Sequence, residues 1–368
     1  MQMARRRRLR FKPAACAAAA AALLVAAGGE AAAAGKGKVA SERLDQSPAA
    51  VRSYWTPERM RAAESVEPPA SAGAGTVGPS AQAAAIPPDQ ETNPALDTSY
   101  PQRLHGRLFV VLGGIRASCS ATVVDSRDRD LIVTAAHCLV IPGEASGGRG
   151  IVFADSVLFV PGYRDGAAPL GTYAGTEMAT PAAAAQSGDV AFDFGAVKLA
   201  TGSASGAPVQ DALGARGIAF NRSVRSYRND SFEIYGYPAV PKPDYDGERP
   251  IVCYSKFQGF ERFSGAPMIA PCHQQQGSSG GGWVRDGRVE SVVSHGSCAV
   301  PSTACTLISG SYFGEAEFKA YRKLGGISKA KSKKLKRCKK KFGGKGKGSS
   351  KKLQRCRAGV QRFGADVR

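Results

Sequence analysis

The chain has 368 residues and a formal net charge of +20, a balance that points toward polyanions. The basicity belongs to the ends: residues 1–34 hold six Lys/Arg and one Glu, and residues 328–368 hold 17 Lys/Arg and one Asp. The middle, with 27 basic and 28 acidic residues, is near neutral, which excludes polyanion binding as the business of the core.

Residues 1–34 read as an export signal. Arg5–Arg8, Arg10 and Lys12 form a positive start, an apolar run follows through Leu23-Leu24-Val25, and Ala32-Ala33-Ala34 offers a small-residue cleavage site. The run is too short and Ala-rich for a membrane anchor. Cys16 leaves with it. The other eight of the nine cysteines fall as six between 119 and 305 and two in the tail, with no Cys-x-x-Cys, which favours disulfides in an oxidising compartment over zinc.

Residues 35–99 are rich in Ala, Ser, Pro and Gly and read as a pro-segment or linker, largely disordered. Within them Thr56-Pro57 can start a short helix, with Pro at its first position. The ordered domain is expected from about Tyr100 to 326. Strand-like runs stand at 108–112, 119–124, 131–134, 151–153, 157–160, 194–199, 231–235, 251–254, 282–284 and 289–293. Short strands broken by Gly, Pro, Asp and Ser predict an all-β barrel or sandwich. One helical pattern, 312–321, puts Phe318 and Tyr321 three apart on one face. Residues 327–368 read as a solvated Lys/Arg-rich tail with a disulfide loop between Cys338 and Cys356, too densely charged to collapse.

Three stretches carry chemistry. Thr134-Ala135-Ala136-His137-Cys138 supplies a base, because His137 follows a strand and adjoins a cysteine; a bridge from Cys138 to Cys119 would tie its turn to the preceding strand. Gly277-Ser278-Ser279-Gly280-Gly281 supplies a nucleophile in a tight turn, where the N–H groups of Gly277 and Ser279 can hold an oxyanion. Serine needs an imidazole to take its proton, and the imidazole needs a carboxylate to fix its tautomer. Asp193, at the head of an apolar run, is favoured for that carboxylate over Asp189, which looks like turn chemistry.

These stretches, with Asp193-Phe194-Gly195-Ala196-Val197-Lys198-Leu199 between the other two, resemble the three motifs of the chymotrypsin/trypsin superfamily of serine proteases. The bacterial secreted V8-like (glutamyl endopeptidase-like) branch is the nearest in flavour, on Gly236-Tyr237-Pro238 and 245–253 as well. The resemblance covers about 100–322. It implies two six-stranded antiparallel β-barrels with a short C-terminal helix, His137 and Asp193 coming from the first barrel and Ser279 from the second. It also implies Ser294, His295 and Gly296 as a substrate-binding wall, with His273 in reach of the pocket and His295 a partner for an acidic side chain. The pairings Cys253–Cys272 and Cys298–Cys305 are favoured, with Cys272–Cys298 as the trypsin-like alternative.

Three departures stand out. Ser278 replaces the Asp that precedes the nucleophile in trypsin-like enzymes, so their activation switch is missing and any pro-segment would assist folding or block the cleft. Gly282 replaces a Pro that carries no chemistry. No Asp or Glu occurs between Arg262 and Arg285, which disfavours cleavage after Lys or Arg.

The expected protein is a secreted, monomeric serine endopeptidase acting on proteins or peptides, with no metal or organic cofactor. The tail would hold it to an acidic wall polymer or other polyanion, with no sequence-specific reading of nucleic acid. The alternative is a non-catalytic binding protein on a protease scaffold, held at an acidic surface by the same tail.

Overall fold

In a computed structural model the described residues are 38–66, 91–92, 98–227, 230–240, 245–260, 268–297, 307–343 and 349–363. The chain opens with strand β1 (Val39–Arg43), helices α1 (Pro48–Tyr54) and α2 (Pro57–Arg61), and two short strands, β2 (Glu64–Ser65) and β3 (Glu91–Thr92).

The first barrel is built from β4 (His105–Leu112), β5 (Ile115–Val123), β6 (Leu131–Thr134), β9 (Ser156–Pro161), β10 (Tyr173–Pro181) and β11 (Gly195–Leu199). Its order is β10-β11-β6-β5-β4-β9, and β10 also pairs β9, which closes it. Hairpin β7 (Val140–Ile141) with β8 (Val152–Phe153) stands outside it, so the run at 151–153 is not a barrel strand. Helix α3 (Ala182–Ser187) follows β10, and α4 (Val209–Leu213) leads to the second half.

There the strands are β12 (Gly217–Ala219), β13 (Ser231–Gly236), β14 (Ile251–Lys256), β15 (Gly259–Phe260), β16 (Met268–Pro271), β17 (Gly282–Arg285), β18 (Arg288–Ser297) and β19 (Leu307–Gly310). The order β16-β19-β18-β17-β13-β14 makes a six-stranded antiparallel barrel. Its seam lies between β14 and β16, and the Cys253–Cys272 disulfide spans it. This bridge rules out the Cys272–Cys298 alternative. Cys298 and Cys305 lie outside the described residues.

Helix α5 (Glu315–Lys323) seats Phe318 and Tyr321 together against both barrels, with Phe194, Phe220 and Phe313. The sequence expected its two aromatic residues to share a face, and they do.

Two expectations need correction. Residues 38–66 are folded onto the first barrel. β1 runs antiparallel to β10 from Val39↔Pro181 to Arg43↔Glu177. Val51, Trp55, Met60 and Ala63 are buried with Phe109, Leu158, Val160 and Tyr163. The segment has too few apolar residues for a core of its own, so its signal is weak, but the barrel supplies the matching surface. Helix α2 does begin after Thr56, whose hydroxyl accepts from the Arg59 N–H with Pro57 at the first position.

The basic tail likewise forms α6 (Lys329–Phe342) and α7 (Ser349–Val360), joined by Cys338–Cys356, with β20 (Arg362–Phe363) pairing β12. High charge prevented a core but not helices, because Lys is a good helix former and its head stays in water. Ile327 and Leu335 pack into the cluster that α5 forms with Phe194, Phe220 and Phe313, and Cys338 is buried. Among the described residues no helix is long and apolar enough to cross a membrane.

Candidate active site

β6 ends at Thr134, and the chain turns at once into a one-turn 3-10 helix, Ala136–Cys138. The turn is fixed by the Cys119–Cys138 disulfide to β5, as expected from the sequence. It presents His137, which is buried. Cys119, His137 and Cys138 place ligand-type atoms within 4.8 Å of one another, but the two sulfurs are bonded to each other and offer no thiolate to a metal.

Asp193 lies between the 3-10 turn Val190–Phe192 and β11. Its neighbour Phe194 is fully buried, edge-on to Phe313 at 5.0 Å, and this anchors the aspartate at the strand entrance. One carboxylate oxygen accepts from the His137 backbone N–H at 3.0 Å, and the other lies 2.8 Å from His137 Nδ1. Ser294 Oγ donates to the same Oδ2 at 2.5 Å. Burial pushes the carboxyl up, but the charge of His137 and the hydrogen bonds from His137 and Ser294 outweigh it and hold it below its ordinary value. Asp189, the competing acid, caps its own turn by accepting from the Ala191 N–H at 3.0 Å.

Ser279 sits in the loop between β16 and β17, and that loop is pinned to the first barrel through one residue of β5. Ser120 N–H donates to the Ser279 carbonyl at 2.7 Å, and Ser120 Oγ donates to the Gly277 carbonyl at 2.8 Å. Gly280 N–H donates to Val293 at 2.7 Å and Gly281 N–H to Ser278 at 2.8 Å. The glycines are required by the turn. Gly277 has φ 95°, and a Cβ there would lie 2.3 Å from the Tyr237 carbonyl oxygen; a Cβ at Gly280 would lie 2.0 Å from Thr134 Oγ1.

The loop and the His137–Asp193 pair thus meet across the two barrels. Ser279 Oγ, however, donates to the Val66 carbonyl at 3.5 Å, while His137 Nε2 is buried with no hydrogen-bond partner among the described residues.

The expected substrate wall is on β18. Ser294 faces Asp193, so it buttresses the acid, a role its sequence position did not reveal. His295 Nδ1 lies 3.1 Å from Ser294 Oγ and is half-buried. Gly296 pairs Ile308 and is covered by Gln275, whose Oε1 is 2.0 Å from where a Cβ would stand. His273 lies two residues past β16, half-buried. A shallow recess of about 10 Å³ lies beside His137, lined by Val140, Pro142, Ala184 and Val190. The sequence reading missed Ser120, Ser65 and Val66; none sits in a motif, and only the fold brings them to the loop that carries Gly277 and Ser279.

No protein-family model matches the chain, and no curated protein sequence matches it. Solved structures do. The protease Anisep from Arthrobacter nicotinovorans is 27% identical with a TM-score of 0.53, over 62% of this chain and 98% of that one. A thermostable serine protease, AL20, from an extremophilic microorganism is 28% identical with a TM-score of 0.53, over 62% of this chain and 99% of that one. At this identity the likeness carries the fold and not a branch within it. Two six-stranded barrels, the helix packed against both and these serine-protease neighbours give the chain the chymotrypsin-like protease fold.

Proposed function

We propose that the protein is a secreted serine endopeptidase in which Ser279 is the nucleophile, His137 the general base and Asp193 the residue that orients His137. The observation that carries this reading is the buried contact of 2.8 Å between His137 Nδ1 and Asp193 Oδ2. With Nδ1–H held by the carboxylate, Nε2 is left as the acceptor for a serine proton. In the reaction the Ser279 Oγ–carbon bond forms as its proton passes to His137 Nε2. That proton then goes to the leaving amine as the peptide C–N bond breaks. Water, deprotonated by His137, attacks the ester and regenerates Ser279. The N–H groups of Gly277 and Ser279 serve the oxyanion.

Substrates are proteins or peptides not selected for Lys or Arg, since 262–285 carry no carboxylate. His295 and His273 are the residues to examine for an acidic preference. Residues 1–34 direct export, and the disulfides suit an oxidising compartment. The enzyme acts as a monomer, retained on an acidic polymer by its basic hairpin.

The test is labelling with a fluorophosphonate probe. The unmodified protein should label, and Ser279→Ala and His137→Ala should not. Absence of labelling in the folded protein, once residues 1–34 have been removed, would instead favour a non-catalytic binding protein.

A further inference from the structure

The residues next to Ser279 include a segment of the same chain that no catalytic role explains. We propose that residues 64–66 are a built-in occupant of the cleft, held along β5, which engages the Ser279 hydroxyl in place of His137. The inference rests on the assignment of Ser279 as nucleophile.

The occupant is positioned from upstream. β1 is hydrogen-bonded to β10, and the α1–α2 pair is locked by Val51, Trp55 and Met60 in a shared core with Phe109 and Tyr163. Trp55 Nε1 donates to Ser156 Oγ at 3.3 Å, which fixes the indole. From that base β2 runs parallel to β5, with Glu64 opposite Ala117 and Ser65 opposite Ser118. Ser118 Oγ, which receives Arg107 Nη2 at 3.0 Å, donates to the Glu64 carbonyl at 3.4 Å. The next residues of β5 are Cys119, bonded to Cys138 beside His137, and Ser120, which holds Gly277 and Ser279. The strand that seats the occupant is therefore the strand that seats the nucleophile.

The tip then reaches the site. Ser65 Oγ lies 3.2 Å from where a Cβ of Gly277 would stand, so it borders the proposed oxyanion loop. The Val66 side chain packs against the core inside the first barrel, and its carbonyl accepts from Ser279 Oγ. A hydroxyl has one proton to give. Given to Val66, it is not given to His137 Nε2, which has no partner among the described residues. Ser279 is only 4% exposed.

The contact at 3.5 Å is at the outer edge of hydrogen-bond length, so it is weak by itself. Tethering makes up for this: a linked group acts at an effective concentration on the order of millimolar or more. An incoming peptide must displace the tip before it can be attacked.

The test uses the whole secreted chain and a variant carrying Ser65→Pro and Val66→Asp. The first change removes a backbone donor from β2, and the second places a carboxylate against apolar side chains; α1 and α2 are untouched. The fluorophosphonate labelling rate at Ser279 is expected to rise at least about tenfold, as for release from a tethered competitor. KM for a peptide should fall more than kcat changes. Equal rates in both proteins would overturn the inference and leave the nucleophile assignment standing. Absence of labelling in both would remove the assignment, and this inference with it. Amide exchange at 64–66 in the unmodified protein gives a reading independent of activity and of how the variant folds. Slow exchange there is expected, and exchange as fast as in a free peptide would overturn the proposal.

Discussion

The two additions to the barrels, 38–66 at one end and 329–363 at the other, are both attached to the fold but by opposite means. The N-terminal clamp is held by buried side chains. Val51 and Trp55 complete a core that the first barrel leaves open, and the clamp directs its tip into the cleft. The C-terminal hairpin buries little. It is closed on itself by Cys338–Cys356 and held to the fold by Leu335, by the Arg357–Glu315 ion pair and by Gln361, whose carbonyl accepts from Phe220 N–H at 3.3 Å. Its charges stay in water. A segment anchored through its core is tied to the stability of the barrel, whereas one anchored at its margins can change its surface freely.

Substitutions can break that contrast. Trp55→Ala should be the most costly, at about 3–5 kcal/mol for a buried indole, read as a fall in the thermal midpoint. A change under about 1 kcal/mol, the range of surface substitutions, would mean that the clamp is not part of the core.

Glu317→Gln examines α5, which touches both additions through Val39 and Glu315. Burial pushes the Glu317 carboxyl up to about 8 from an ordinary 4.5, although the Gly314 N–H donates to it at 2.9 Å. The folded protein therefore binds more protons than the unfolded chain between these values. Stability falls as pH rises from 4.5 to about 8 and levels off above. The variant should lose that slope and be the more stable protein at pH 8. An unchanged slope in thermal midpoint against pH would refute the assignment.

The smallest effect on stability is expected from Lys333, Lys334, Lys336 and Lys340 changed together to Ala. All four are exposed, so the midpoint should move by less than about 1 kcal/mol. Elution from a polyphosphate resin should nonetheless shift to clearly lower salt. Elution at the same salt would remove the hairpin from polyanion binding.

Much of the barrel was legible in the sequence because buried strands such as Leu131–Thr134 are continuous apolar runs, and the site was legible where glycine or cysteine marks a turn. β10 was not: Tyr173–Pro181 mixes Gly, Ala, Thr and Glu, and a register shift between Gly175 and Glu177 breaks the alternation between its core residues Tyr173 and Met178. The clamp was missed because its few buried residues are spaced among polar and small ones, and the surface they cover is far away in sequence. Ser294 was legible as a residue of the site but not in its role, since only the fold turns its hydroxyl 2.5 Å from Asp193.

Residues 117–120 of β5 touch the clamp tip, the disulfide beside His137 and the serine loop in four consecutive positions. On the reading proposed above, the tip and any ligand of Ser279 share one rigid ledge, so their binding energies are linked and the linkage works in both directions. A ligand that displaces the tip must loosen β2 by the free energy with which β2 hinders that ligand. Amide exchange at 64–66 would then report, from outside the catalytic residues, how full the cleft is.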